Sequence, residues 1–271
     1  MNKPIEYISH MGSDLTVVNA ARESFGSTST TLTDKDISLI QFLARGMTRD
    51  DYVMFIMSLM NVSNSVADIH TLLEKYKHTP THFAPFGHPQ ITIRVKAPLA
   101  IARQLWKSHI GSTGGDAGNG AWSELSKRYN KEQPEYYLPT ELRLQSENVK
   151  HGSSNTTIPT PNWLMDTVEE ADSSYHTLVN DLKVAPEQAR FILPACTFTS
   201  WTWTGSLLFF ARVYNLRVRS DAQEEARVII SGLNAIMMSL FPVSWEALTN
   251  MQPPNVTQGL LPVGSEGDSE V

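Results

Sequence analysis

Two strand-like segments limit the fold of this chain more than anything else in it. ITIRVKA (91–97) alternates apolar and polar residues, as a half-buried strand does. CTFTSWTWT (196–204) is rich in threonine and aromatic residues, which favour a pleated surface. Between them lies a long stretch with helical patterns and turns, so strands and helices do not interleave regularly. A repeating strand–helix order would point to a parallel sheet. Its absence predicts an α/β chain of the α+β kind: one domain with a small, mainly antiparallel sheet flanked by helices.

The rest of the chain fits around those strands. DLTVVNAARES (14–24) reads as a first helix with Ser13 or Asp14 as cap, followed by a polar loop over 26–34. Residues 35–76 carry two or three helical patterns. Residues 77–90 hold three prolines and three histidines, which rules out a regular helix. Pro98 opens a helix over 98–109. Residues 111–120 contain five glycines, the composition of a mobile loop. Residues 130–160 are turn-rich with short extended pieces. Helices are expected over 161–182, 205–215 and 221–240. The fold domain is expected to span 1–253, with a disordered Gly-, Ser- and acid-rich tail over 254–271.

With 271 residues and 41% hydrophobic content, the chain can bury a sizeable core. Lys+Arg 22 against Asp+Glu 28 gives a net charge of −6, which argues against overall attraction to nucleic acid or an anionic membrane. A local arginine cluster can still bind a small phosphate. There is one cysteine, Cys196, so no disulfide framework or Cys-rich metal site forms within the chain. The first residues lack the apolar run of a signal peptide, and no stretch is apolar enough to span a membrane. The expectation is a soluble, cytoplasmic protein.

Common catalytic arrangements are missing. Cys196 sits in an apolar context (LPACTFTSW), which favours an inert buried thiol. The glycine loop lacks P-loop order, and no H-E-x-x-H occurs. A metal site from His78, His82 and His88 is conceivable, but their Pro-rich spacing disfavours it, and no metal is expected. Two constellations stand out. In WSELSKRY (122–129), an extended backbone would put Glu124, Ser126 and Arg128 on one side, a set suited to a nucleotide. The same spacing also suits a solvated helical turn with a Glu–Arg pair. In NLRVRSDAQEEAR (215–227), Arg217 and Arg219 precede a helix start at Ser220 or Asp221, with Arg190 and Arg212 upstream. Such a helix start favours anions, but a surface helix with scattered ion pairs would look alike.

Taken in order, these segments resemble the flavin-dependent thymidylate synthase family over most of residues 14–250. DLTVVNAARESF resembles its first helix. HFAPFGHPQITIRVKAPLAIARQLW (82–106) resembles its H-x-T-P-F-x-H stretch, strand and V-K-A-P-x-x-x-A-R-Q-W helix. WSELSKRY resembles the second half of the signature R-H-R-x-x-S-x-N-E-x-S-x-R-Y. YLPTELR (137–143), ARFILPACTFTSWTWTGSL (189–207) and LRVRSDAQEEAR (216–227) resemble the later blocks. The chain departs from the pattern in places. Lys107, Ser108 and His109 stand for R-H-R, followed by an insertion of about nine residues. Ser123, Asp221 and Ser206 replace Asn, His and Asn.

The resemblance implies reductive methylation of dUMP to dTMP. Methylenetetrahydrofolate would be the carbon donor, reduced FAD the hydride source and NADPH the reductant. It implies a homotetramer with sites shared between subunits. Arg217 and Arg190 take the catalytic role. Gln104, Glu124, Ser126, Lys127, Arg128, Arg190 and Arg217 would bind the nucleotide. His82, Lys107, Ser108, His109, Glu124, Ser206, Arg212 and Asp221 would contact flavin. The departures leave two further readings. One is methylation or hydroxymethylation of another pyrimidine nucleotide, dCMP or UMP. The other is a flavin-less homologue with a binding or structural role.

Overall fold

The computed structural model describes residues 4–46, 49–61, 68–71, 81–108, 121–129, 133–146 and 153–249. The glycine loop over 111–120, His109 and the tail after residue 253 lie outside them. Four strands form one antiparallel sheet: β1 (Ile5–Met11), β2 (Gln90–Pro98), β3 (Ala121–Glu124) and β6 (Phe198–Ser206), in the order β1-β2-β6-β3. β4 (Glu141–Gln145) and β5 (Ser153–Pro159) make a separate antiparallel pair, the extended pieces expected in 130–160. Mixed helix and antiparallel sheet is the architecture the sequence predicts.

The alternation in β2 and β6 sorts the two faces of the sheet. Ile93 pairs with Trp203 and Val95 with Trp201, and all four are buried. On the other face Thr92 and Thr204 share a hydrogen bond at 2.9 Å, and Lys96 bonds Glu135. β1 escaped the sequence reading because it has no alternation to read. Only Ile5 of its seven residues is buried, and a bulge interrupts its register at Tyr7/Ser9.

The helices are α1 (Asp14–Arg22), α2 (Asp34–Arg45), α3 (Arg49–Asn61), α4 (Leu99–Trp106), α5 (Asn162–His176), α6 (Leu207–Arg217), α7 (Glu224–Ser231), α8 (Leu233–Leu240) and α9 (Pro242–Thr249). Ser13 caps α1, its N–H donating to Thr16 Oγ1 at 3.0 Å. α1 ends sooner than expected, in a 3-10 turn over Glu23–Phe25 that Gly26 closes at φ 60. The expected helix over 221–240 begins instead at Glu224 and breaks at Gly232. A Cβ on Gly232 would crowd the Ile229 carbonyl at 3.2 Å, while the Ile5 side chain of β1 lies at an ordinary contact distance of 3.9 Å. α5 runs on as a π-helical turn over Thr177–Asp181.

One core fills the space between the apolar sheet face and the helices. Val17, Ile40, Trp201, Trp203, Phe210 and Trp245 are all nearly inaccessible within it. Burial on this scale is the main stabilising term, since each large apolar side chain contributes roughly 1.5–3 kcal/mol. Asp14 is buried too. Its two carboxylate oxygens accept from the backbone N–H groups of Val243 and Ser244, at 3.0 and 2.9 Å. It therefore caps α9, the last helix of the described chain.

Candidate active site

β3 places Glu124 opposite Trp201 at the sheet edge. Trp122, two residues earlier on the same face, stacks on Trp201 with ring centres 4.3 Å apart. Glu124 is held from both sides. Thr199 Oγ1 donates to one carboxylate oxygen at 3.0 Å, and Trp122 Nε1 to the other at 3.2 Å. Leu125 N–H still reaches Ser200 O at 2.8 Å, and then the chain turns over 127–129. Strand alternation therefore stops at Glu124. Ser126 and Arg128 meet within that turn, Arg128 Nε donating to Ser126 Oγ at 3.1 Å.

Beside Glu124 is a cleft of about 250 Å³, bounded by α4, the end of β3 and the segment 190–199. Lys127 and Arg190 line it, as does Arg103, which the sequence reading passed over. Arg103 Nη1 lies 4.0 Å from Glu124 Oε2. Arg190 follows one helical turn at Pro186–Ala189, and its Nε donates to Glu187 O at 3.3 Å. Arg103 adjoins Gln104 in sequence, but successive helical residues point about 100° apart, so the two serve different places.

Gln104 belongs to a second group, at the end of α4. Arg217, the last residue of α6, donates from Nη2 to Gln104 O at 3.1 Å. Arg217 Nε is buried without a hydrogen-bond partner among the described residues. So are Gln104 Oε1 and, one turn further on, Ser108 Oγ. Burial pushes the Arg217 guanidinium below its ordinary range. Buried polar atoms in native proteins are nearly always satisfied, so three unsatisfied atoms near one helix end, of six among the described residues, single out this group as a candidate. Lys107 stands exposed beside them.

A larger cleft, about 750 Å³, opens beside α1 and α2. His82 lines it with Arg22, Phe25, Lys35, Phe42 and His88. The His82 ring stacks on Phe42, centres 6.2 Å apart. Arg212 lies over the ring of Phe83, 5.6 Å from its centre. Arg22 is fixed by Asp36, whose carboxylate it meets through Nε at 3.1 Å. The other flavin candidates lie elsewhere. Ser206 is buried as the cap of α6, accepting from Phe209 N–H at 3.1 Å. Asp221 is exposed and paired with Arg219 at 2.9 and 3.1 Å.

Cys196 is half-buried, and burial pushes its thiol up, away from the thiolate form a nucleophile needs. Among the described residues, no group of three or more His, Cys, Asp or Glu side chains is placed to hold a metal ion. No described helix is long and apolar enough to cross a membrane.

The model of one family, described as "Thymidylate synthase complementing protein", matches residues 6–243. A flavin-dependent thymidylate synthase of Pseudothermotoga lettingae is 24% identical over 90% of this chain and 88% of its own. That of Treponema denticola is 27% identical over 89% of this chain and 76% of its own. Among solved structures, the UMP/dUMP methylase PolB from Streptomyces cacaoi, bound with 5-Br dUMP, shares the fold. Its TM-score is 0.63 at 22% identity, covering 90% of this chain and 93% of PolB.

Proposed function

Since the chain belongs to the family of thymidylate synthase complementing proteins, we propose that it converts dUMP to dTMP, with methylenetetrahydrofolate as carbon donor and reduced FAD as hydride source. The observation that carries this reading is the buried Nε of Arg217 beside Gln104, which has no partner among the described residues. A uracil ring offers both a donor and acceptors, which complement an arginine N–H, a glutamine oxygen and the Ser108 hydroxyl.

Each group of residues has a task in this reading. Arg217 and Arg190 hold the nucleotide and stabilise negative charge as it develops on the base. Lys127, with Ser126 and Arg128 on the neighbouring turn, takes the phosphate. Glu124, pinned by Thr199 and Trp122, is a fixed acceptor that needs no reorganisation when substrate arrives. Gln104 closes the base side. The Arg190 cleft and the Gln104–Arg217 group come from different copies of a homotetramer, which completes each site.

The larger cleft fits FAD by its donor set. Arg22, Lys35 and His82 suit a phosphorylated group, and Phe25 and Phe42 suit its flat ring. Arg212, over the ring of Phe83 next to His82, adds positive charge nearby, whereas Lys107, Ser108, Glu124, Ser206 and Asp221 do not line this cleft. FAD, when bound, supplies the hydride, with NADPH as its reductant. The residues of this chain orient the nucleotide and exclude water. The charged small substrates belong to the cytoplasm, where the enzyme acts.

Purified protein tests the proposal directly. Flavin absorbance, together with dTMP formed from dUMP and methylenetetrahydrofolate, is expected. A colourless protein that still binds dUMP would support the flavin-less reading instead. Faster turnover of UMP or dCMP than of dUMP would move the substrate assignment.

A further inference from the structure

Arg103 is the one cationic side chain in the Glu124 cleft that the synthase reading leaves without a task. It does not serve to fix Glu124, because Thr199 and Trp122 already engage both carboxylate oxygens. Its own distance to Glu124 is 4.0 Å, and its side chain is 61% exposed. An ion pair of that kind contributes about 0–1 kcal/mol.

Around the same small cleft stand Arg103, Lys127 and Arg190, against the single carboxylate of Glu124. The lining therefore carries excess positive charge. Leu99, Leu125 and Phe191 supply apolar walls, which strengthen charge interactions by keeping water away. A guanidinium fork matches the oxygens of a phosphate two at a time. An arginine resting loosely on a carboxylate is free to turn towards such a ligand.

We propose that Arg103 is a further substrate-anchoring residue, binding the phosphate of the nucleotide in the cleft it shares with Lys127 and Arg190. The proposal rests on the synthase reading. It makes Arg103 a determinant of preference for nucleotide over nucleoside. Glu124 holds it near the phosphate position in the free enzyme and gives it up when substrate binds.

The test is titration calorimetry on the full chain with dUMP and with 2′-deoxyuridine, comparing the wild type with Arg103→Gln and Arg103→Lys. Arg103→Gln should weaken dUMP binding at least about tenfold. Arg103→Lys should fall in between, and deoxyuridine affinity should not change. Unchanged dUMP affinity overturns the proposal. So does an equal loss for nucleotide and nucleoside, which is what a structural role would give. A rise confined to the KM for methylenetetrahydrofolate also overturns it, because the anion would then be the folate tail. A wild type that binds no dUMP at all rejects the synthase reading itself, and this proposal with it.

Discussion

Arg217 donates to the backbone carbonyl of Gln104 at 3.1 Å, across 113 residues of sequence, while its buried Nε has no partner among the described residues. One end of the guanidinium is thus spent on holding the site together and the other is kept for a ligand. Arg217→Ala should weaken dUMP binding on the order of a hundredfold, the usual cost of losing a buried charged donor. Circular dichroism and gel filtration should show an unchanged fold and assembly. Unaltered dUMP affinity in this variant would remove Arg217 from the site.

Part of the framework around this candidate site is legible in the sequence, for identifiable reasons. β2 and β6 declare themselves because one face of each is buried, which writes alternation into the residues. Glu124 comes with them, on a strand paired to β6. β1 is silent because six of its seven residues are exposed. Arg103 is hidden by its own neighbour: a linear motif joins it to Gln104, but Arg103 lines the Glu124 cleft while Gln104 meets Arg217. The separation of His82 from Glu124 into two clefts was hidden as well, since no local pattern records which loops converge.

The second prediction concerns the joint between the β4–β5 pair and α7. Arg143 meets Glu225 at 2.6 Å and Glu224 at 3.0 Å, and its Nε donates to Ser153 Oγ at 2.8 Å. Glu225 is 13% exposed at its side chain. Arg143→Met should cost about 3 kcal/mol, because it removes the counter-charge of that carboxylate and leaves only neutral donors such as Gln223. Adding Glu225→Gln should restore much of the loss. Urea denaturation of the two single variants and the double variant gives the coupling. Simple additivity would show that the pair does not act as a unit.

The third prediction is a pH dependence. Burial alone would push Asp36 up, but hydrogen bonds from Thr33, Arg22 and Ser29 outweigh it and bring the carboxyl to about 2. A carboxyl lower in the folded than in the unfolded state stabilises fully above its unfolded value, near 4. That contribution is lost as pH falls from there towards about 2. Asp36→Asn should flatten the acid limb of stability and loosen Arg22 at the larger cleft. Melting temperatures followed from pH 5 downward, an interval set by these values, would show it. Parallel curves for variant and wild type would rule it out.

The carboxylate of Asp14 bears on how the chain is made. It caps a helix that begins at residue 242, so a residue synthesised among the first is satisfied by backbone synthesised near the end. Until that helix is available, Asp14 lacks the backbone donors it accepts from, and α2 lacks the helix that packs against it. Contacts so distant in sequence carry a large loop-closure cost and form late. A chain that stops before residue 242 leaves the Asp14 carboxylate, near its beginning, without the two backbone donors it accepts from.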